Sequence, residues 1–151
     1  MATHMANSTS LSPSGIAAQV LQAYRETEYR VLADPSFVLL IDCFSAPLAS
    51  LHARHGVACS SFLTACNPYS QLADMALNVR RQQQLSADLQ ARGCVYYSGE
   101  GAHPSGSWPA EPSFLVLGLD RRKACALGQK YEQNAVLCCD AQAIPHLVLL
   151  R

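Results

Sequence analysis

Short apolar runs, each about the length of a strand, recur along this chain at residues 37–41, 57–65, 94–97, 113–117, 135–139 and 144–150. None approaches the roughly 20 apolar residues that a membrane-spanning helix needs. Between most of them lie segments of helical period, so the runs are hidden by packing helices on a sheet. That arrangement predicts one α/β or α+β domain with a mixed β-sheet of about five to six strands and about four helices. Half of the residues are hydrophobic (50%), which excludes global disorder. Residues 1–13 are polar and rich in Ser and Thr; they read as a disordered tail, with the globular domain over 14–151.

Local signals set the expected boundaries. Ser14 stands as cap for a helix over 15–32, which Asp34-Pro35 ends. Residues 37–41 read as a strand buried on both faces. Ser45 followed by Pro47 starts a short helix that Gly56 stops near His55. The strand over 57–65 then completes a β-α-β unit. Asp74 caps and Gly93 stops a helix over 74–92. After a short strand at 94–97, residues 98–112 form a loop rich in Gly, Pro and Ser, a length more often functional or mobile than merely connecting. Asp120 caps a helix over 121–131, and the last two strands form a terminal hairpin whose open edge offers a second copy of the chain a place to pair.

Charge narrows the partners. Lys plus Arg number 11 and Asp plus Glu 11, so there is no electrostatic footprint for nucleic acid or an anionic membrane. The N-terminal residues have neither a charged region nor an apolar one in the order of a secretory signal, and a cytoplasmic location is expected. The 7 cysteines include no Cys-x-x-Cys and sit mostly in apolar runs, as small core hydrophobes do in a reducing compartment. His52 and His55 lie one helical turn apart without a third ligand, so no metal is predicted. Without a Gly-x-Gly-x-x-Gly or Walker loop, no cofactor is predicted either.

The densest set of polar side chains begins where the run 57–65 stops, at Thr64-Ala65-Cys66-Asn67-Pro68-Tyr69-Ser70. Strand ends before helices are common ligand sites in such folds. Thr64, Asn67 and Ser70 either satisfy the turn or hydrogen-bond a ligand there. Asn78 and Arg81 share a side of the following helix, and Arg81 is suited to clamping a carboxylate or phosphate. A salt bridge to Glu111 or Asp74 is its structural alternative. Glu111, just before Pro112-Ser113, is the candidate general base. Glu100, between two glycines, is held less firmly. Ser113 lacks the context of a hydrolase nucleophile. Gln133 is a ligand candidate, whereas Asn134 reads as a left-handed helix cap. Cys66 has no base beside it and reads as filler.

Taken in order, the Thr64–Ser70 stretch, Asn78 with Arg81, Gly99-Glu100-Gly101, Trp108-Pro109-Ala110-Glu111-Pro112-Ser113, Leu127-Gly128 and Gln133-Asn134-Ala135-Val136 resemble the motif string of a bacterial family known only as a domain of unknown function. The resemblance runs from about residue 37 to 150. In that family a tryptophan usually stands where this chain has Cys66, and an aromatic often stands near Cys138. The resemblance implies one domain with grouped motifs, and no activity, substrate or cofactor. The expected function is binding of a polar or anionic small molecule by Thr64, Asn67, Ser70, Asn78, Arg81, Glu111, Ser113 and Gln133. The alternatives are a protein-interaction module with structural motifs, and a hydrolase or transferase acting on a nucleotide or nucleic acid.

Overall fold

A computed structural model describes residues 15–151; the tail expected over 1–13 lies outside them. The chain runs α1 (Ala18–Glu26), β1 (Glu28–Val31), β2 (Phe37–Leu39), α2 (Ala46–His55), β3 (Ser60–Leu63), a 3-10 turn (Pro68–Ser70), α3 (Met75–Ala91), β4 (Val95–Ala102), β5 (Glu111–Leu117), α4 (Arg121–Lys130), β6 (Ala135–Cys139) and β7 (Pro145–Leu149). The strands form one 7-stranded sheet in the order β2-β1-β4-β5-β3-β6-β7. Every neighbouring pair is antiparallel. The fold is therefore α+β, with one strand more than expected and no mixed pairing. Strands β2 and β3 flank α2 in sequence but are separated in the sheet by β1, β4 and β5, so they make no β-α-β unit.

The expected helix over 15–32 is two elements. Thr27 takes an extended backbone, and its hydroxyl donates to the Ala23 carbonyl at 2.6 Å, closing the helix. The chain then pairs with β2 on one side and β4 on the other. Glu28-Tyr29-Arg30-Val31 alternates polar and apolar residues, a pattern that also fits a helix face when read alone. Tertiary pairing decides between them: Arg30 sits opposite Glu100 and bonds it at 3.0 Å. Strand β2 is an edge strand, so Val38 and Leu40 are exposed rather than buried on both faces.

Capping by short polar side chains follows the sequence in α2, α3 and α4; Ser14, expected to cap the first helix, lies outside the described residues, and α1 begins after Ala17, which makes no side-chain cap. Ser45 accepts from Leu48 N at 3.2 Å, Asp74 from Leu77 N at 2.7 Å and Asp120 from Lys123 N at 2.9 Å. Each satisfies an otherwise orphaned N–H, a contribution of about 1 kcal/mol. Two apolar clusters flank the sheet. Leu63, Leu85, Leu89, Phe114, Val116 and Leu127 belong to one, while Leu39, Leu48, Leu51, Phe62, Leu115 and Leu137 belong to the other. Adjacent Cys138 and Cys139 divide between them, as alternation along a strand requires.

The expected loop over 98–112 is shorter because β4 continues through Gly99-Glu100-Gly101. A Cβ at Gly99 would stand 2.4 Å from the Arg30 carbonyl oxygen and 2.9 Å from the Phe62 ring. Glycine here permits close packing within a strand. Strand β5 starts two residues early, which puts Glu111 in register with Gly101 and on the sheet itself.

Candidate functional site

Where β3 and β4 finish and β5 and β6 begin, α1 stands over the end of the sheet and encloses a cavity of about 310 Å³. Thr64, Asn67, Ser70, Glu111, Ser113 and Gln133 all line it. Sequence separation between them is large; the antiparallel register brings them together. The remaining wall is largely apolar and aromatic, with Tyr24 from α1, Tyr29 from β1, Phe62 from β3 and Trp108 from the loop. Tyr29 and Phe62 meet edge to face, their centroids 5.5 Å apart.

The turn before α3 is built around Asn67, whose backbone is left-handed (φ 49°, ψ 66°). Asparagine tolerates that region better than most residues. Tyr69 and Ser70 also have positive φ, a run held by bonds from outside the turn: Tyr69 N donates to Glu132 O at 2.7 Å. The Asn67 side chain is locked in one orientation. Its carbonyl oxygen accepts from Asn78 Nδ2 at 2.8 Å and from Ala73 N at 3.0 Å, while Asn78 Oδ1 accepts from Asn67 N at 2.9 Å. The Asn67 amide nitrogen is thereby turned toward Glu111, donating to Oε2 at 3.2 Å.

Burial pushes the Glu111 carboxyl up to about 7, against the opposing influence of Asn67 and the Trp108 indole. Charge is thus expensive where Glu111 stands, and its proton is exchangeable near neutrality. Burial also raises the Tyr24 and Tyr29 hydroxyls and the Cys66 thiol above their ordinary ranges. Cys66 is buried and has no histidine partner, so it lacks the surroundings of an activated thiol.

Asn78 and Arg81 lie behind the turn and do not line the cavity. Arg81 Nε donates to Ala65 O at 2.7 Å, and its terminal nitrogens reach Tyr131 O and, at 3.4 Å, Glu132 Oε1. Its guanidinium ties β3 to the end of α4, and its ion-pair partner is Glu132 rather than Glu111 or Asp74. Gln133 does reach the cavity; its amide nitrogen donates to Cys66 O at 3.0 Å and Tyr131 O at 3.1 Å. Left-handed backbone occurs at Glu132 (φ 58°) and not at Asn134. Asn134 instead donates to Ser70 Oγ at 3.0 Å, and Ser70 also bonds the Tyr24 hydroxyl.

Tyr24 and Tyr29 fall within the helix expected over 15–32 and Trp108 within the expected loop, so none of the three stood out from the sequence as a cavity residue. The signal for Tyr29 was the two-residue alternation with Val31; for Trp108 it was a large aromatic in a Pro- and Gly-rich loop. His103, at the cavity rim, is paired with Glu26 at 2.8 Å. His52 bonds Ser60 at 2.7 Å and His55 bonds Tyr97 at 2.9 Å. Among the described residues no cluster of His, Cys, Asp or Glu has the arrangement of a metal site, and no helix is long and apolar enough to cross a membrane.

Residues 63–136 match the protein family of unknown function DUF3293. The DUF3293 match extends from the end of β3 into β6, and includes Asn67, Asn78, Arg81, Glu111 and Gln133. Tyr24, Tyr29 and Phe62, which complete the cavity, stand before it. No curated protein and no solved structure matches the chain.

Proposed function

We propose that the domain binds a small polar organic molecule in the cavity under α1. The observation that supports this reading is the convergence of Thr64, Asn67, Ser70, Glu111, Ser113 and Gln133 on one aromatic-walled space. Ligand sites combine an apolar enclosure with a few oriented polar groups in this way, commonly in volumes of about 300–1,000 Å³. Backbone strain in the turn and a half-buried carboxyl are both costly to folding, and both adjoin the same space. Glu111, titrating near neutrality, is suited to proton transfer on a bound molecule. The anionic half of the expected ligand class loses its support because Arg81 is committed to backbone carbonyls. A nucleotide hydrolase or transferase loses the same clamp.

The test is a thermal-shift screen against a metabolite library. A ligand at 100 times its Kd stabilises by about 2.7 kcal/mol. Hits are expected to lose their effect in Ala23→Phe, which fills the cavity from α1, and to keep it in Arg92→Ala, far from the cavity. A screen without hits, or hits indifferent to Ala23→Phe, would remove this reading.

A further inference from the structure

The cavity's polar groups divide unevenly into donors and acceptors. On its inner wall most side-chain donors are already committed to protein atoms. Thr64 Oγ1 donates to Pro112 O at 2.7 Å, Ser113 Oγ to Glu111 O at 3.0 Å and Tyr29 OH to Tyr24 O at 2.6 Å. Gln133 uses its amide nitrogen on two backbone carbonyls, and Asn67 donates to Glu111. The exceptions are Gln19, exposed on α1 at the mouth, one hydrogen of the Tyr24–Ser70 hydroxyl pair and the second amide hydrogen of Asn67.

Acceptors remain. The Gln133 carbonyl oxygen receives no hydrogen bond from the described residues. An ionised carboxylate offers about four acceptor positions, and Asn67 and Trp108 leave Glu111 with some of them. No Lys or Arg lines the space. Tyr29, Phe62 and Trp108 present ring surfaces, which attract cations through their quadrupoles.

We propose, resting on the cavity reading above, that the ligand is a flat organic cation of amidine, guanidine or protonated amino-heterocycle type. Its N–H groups would meet the Glu111 carboxylate and the Gln133 carbonyl, with its ring among the aromatic side chains. An N–H pair matches a carboxylate in a way that a single point charge does not. Neutral analogues forgo the charge-assisted bond, and anions oppose Glu111 directly.

Trp108 is the chain's 1 tryptophan and stands in the cavity wall, so its fluorescence reports on this site alone. The experiment titrates benzamidine, benzamide and benzoate into the protein at pH 8. Benzamidine is expected to bind about tenfold or more tightly than benzamide, with benzoate weakest. In Glu111→Gln, checked for fold by near-UV circular dichroism, the preference should fall to about twofold or less. In case that variant does not fold, the wild-type pH profile gives a second measurement. Benzamidine remains cationic throughout, so its affinity should rise as Glu111 ionises between pH 6 and 8.

The other titratable groups around Glu111 are Tyr24 on α1, Tyr29 on β1 and His103 in the loop, which share the cavity with it, and Cys66 in the turn; beyond them Glu26 pairs with His103, and Arg151 and Arg81 stand near Tyr24 and Cys66. Tyr24, Tyr29 and Cys66 stay protonated over this range, since burial raises all of them. His103 is separated by His103→Asn: a profile lost there but kept in Glu111→Gln overturns the inference. Equal or tighter binding of benzamide or benzoate overturns the cationic class and leaves the cavity reading standing. Binding of none of the three at millimolar concentration overturns both.

Discussion

The two ends of the sheet are furnished in opposite ways. At the α1 end, the cavity contains Glu111 and no Lys or Arg. At the other end, a cleft of about 510 Å³ is lined by His55, Arg92 and Lys123, with no acid among its lining residues. A neutral total, 11 basic against 11 acidic residues, conceals this separation. The Arg92 charge has a local explanation. Arg92 follows α3, a position where the helix dipole favours positive charge. Glu111 has no such reason to be where it is; burial there penalises its charge. An exposed cation at a helix end is ordinary, whereas a carboxyl held in an aromatic cavity at a cost to stability points to use.

The largest effect that would break this contrast is expected at Arg81. Arg81→Ala leaves the carbonyls of Ala65 and Tyr131 without their donor and should cost about 3 kcal/mol in denaturant unfolding. Arg81→Lys should recover only part, because one ammonium cannot reproduce the fork. If Arg81→Ala unfolds like the wild type and instead abolishes ligand binding, the cavity end has an anion site after all.

Glu111 gives the next effect, with opposite sign. Its folded-state value of about 7 lies above that of an unfolded glutamate, so between these values the folded state holds the extra proton. Stability from this group therefore falls as pH rises through that window and stays reduced above it. Glu111→Gln should be more stable than wild type at pH 8 by about 2 kcal/mol, with little difference at pH 4. Melting curves across pH would sink this if the variant were less stable at pH 8.

A smaller effect is expected from the support of Asn67. Asn78→Ala should cost about 1–2 kcal/mol and free the Asn67 amide to rotate, moving the Glu111 titration upward as its donor is lost. Nuclear magnetic resonance of the carboxyl carbon checks the direction. An unmoved midpoint would show that Asn78 does not position Asn67. At the opposite end, Arg92→Ala and Lys123→Ala should each change stability by about 0.5 kcal/mol or less. A larger loss in either would mean that the cationic end is as constrained as the other.

The α2 boundaries were legible because Ser45, Pro47 and Gly56 act on their own backbone neighbours, and the starts of α3 and α4 were legible through Asp74 and Asp120 for the same reason. Glu28–Val31 was not, because four residues of alternating polarity fit a strand and a helix face alike until β2 and β4 flank them. The cavity's polar half was readable as residue types: Asn67 beside a strand end and Glu111 before Pro112 are conspicuous anywhere. Their neighbours on α3 were not, since Asn78 and Arg81 turn toward the protein or the ligand according to how the helix is rotated on the sheet.

By itself, the sequence determined the caps of α2, α3 and α4, most strand positions, the apolar core and the polar stretch at residues 64–70, all of which depend on chemistry within a few residues. Tertiary structure alone decided that every strand pair is antiparallel, that α1 and Trp108 help wall the cavity, that Arg81 serves the backbone, and that Glu111 meets Asn67 in the cavity wall. Those outcomes depend on contacts between residues tens of positions apart, where register and burial, not local propensity, set the energy.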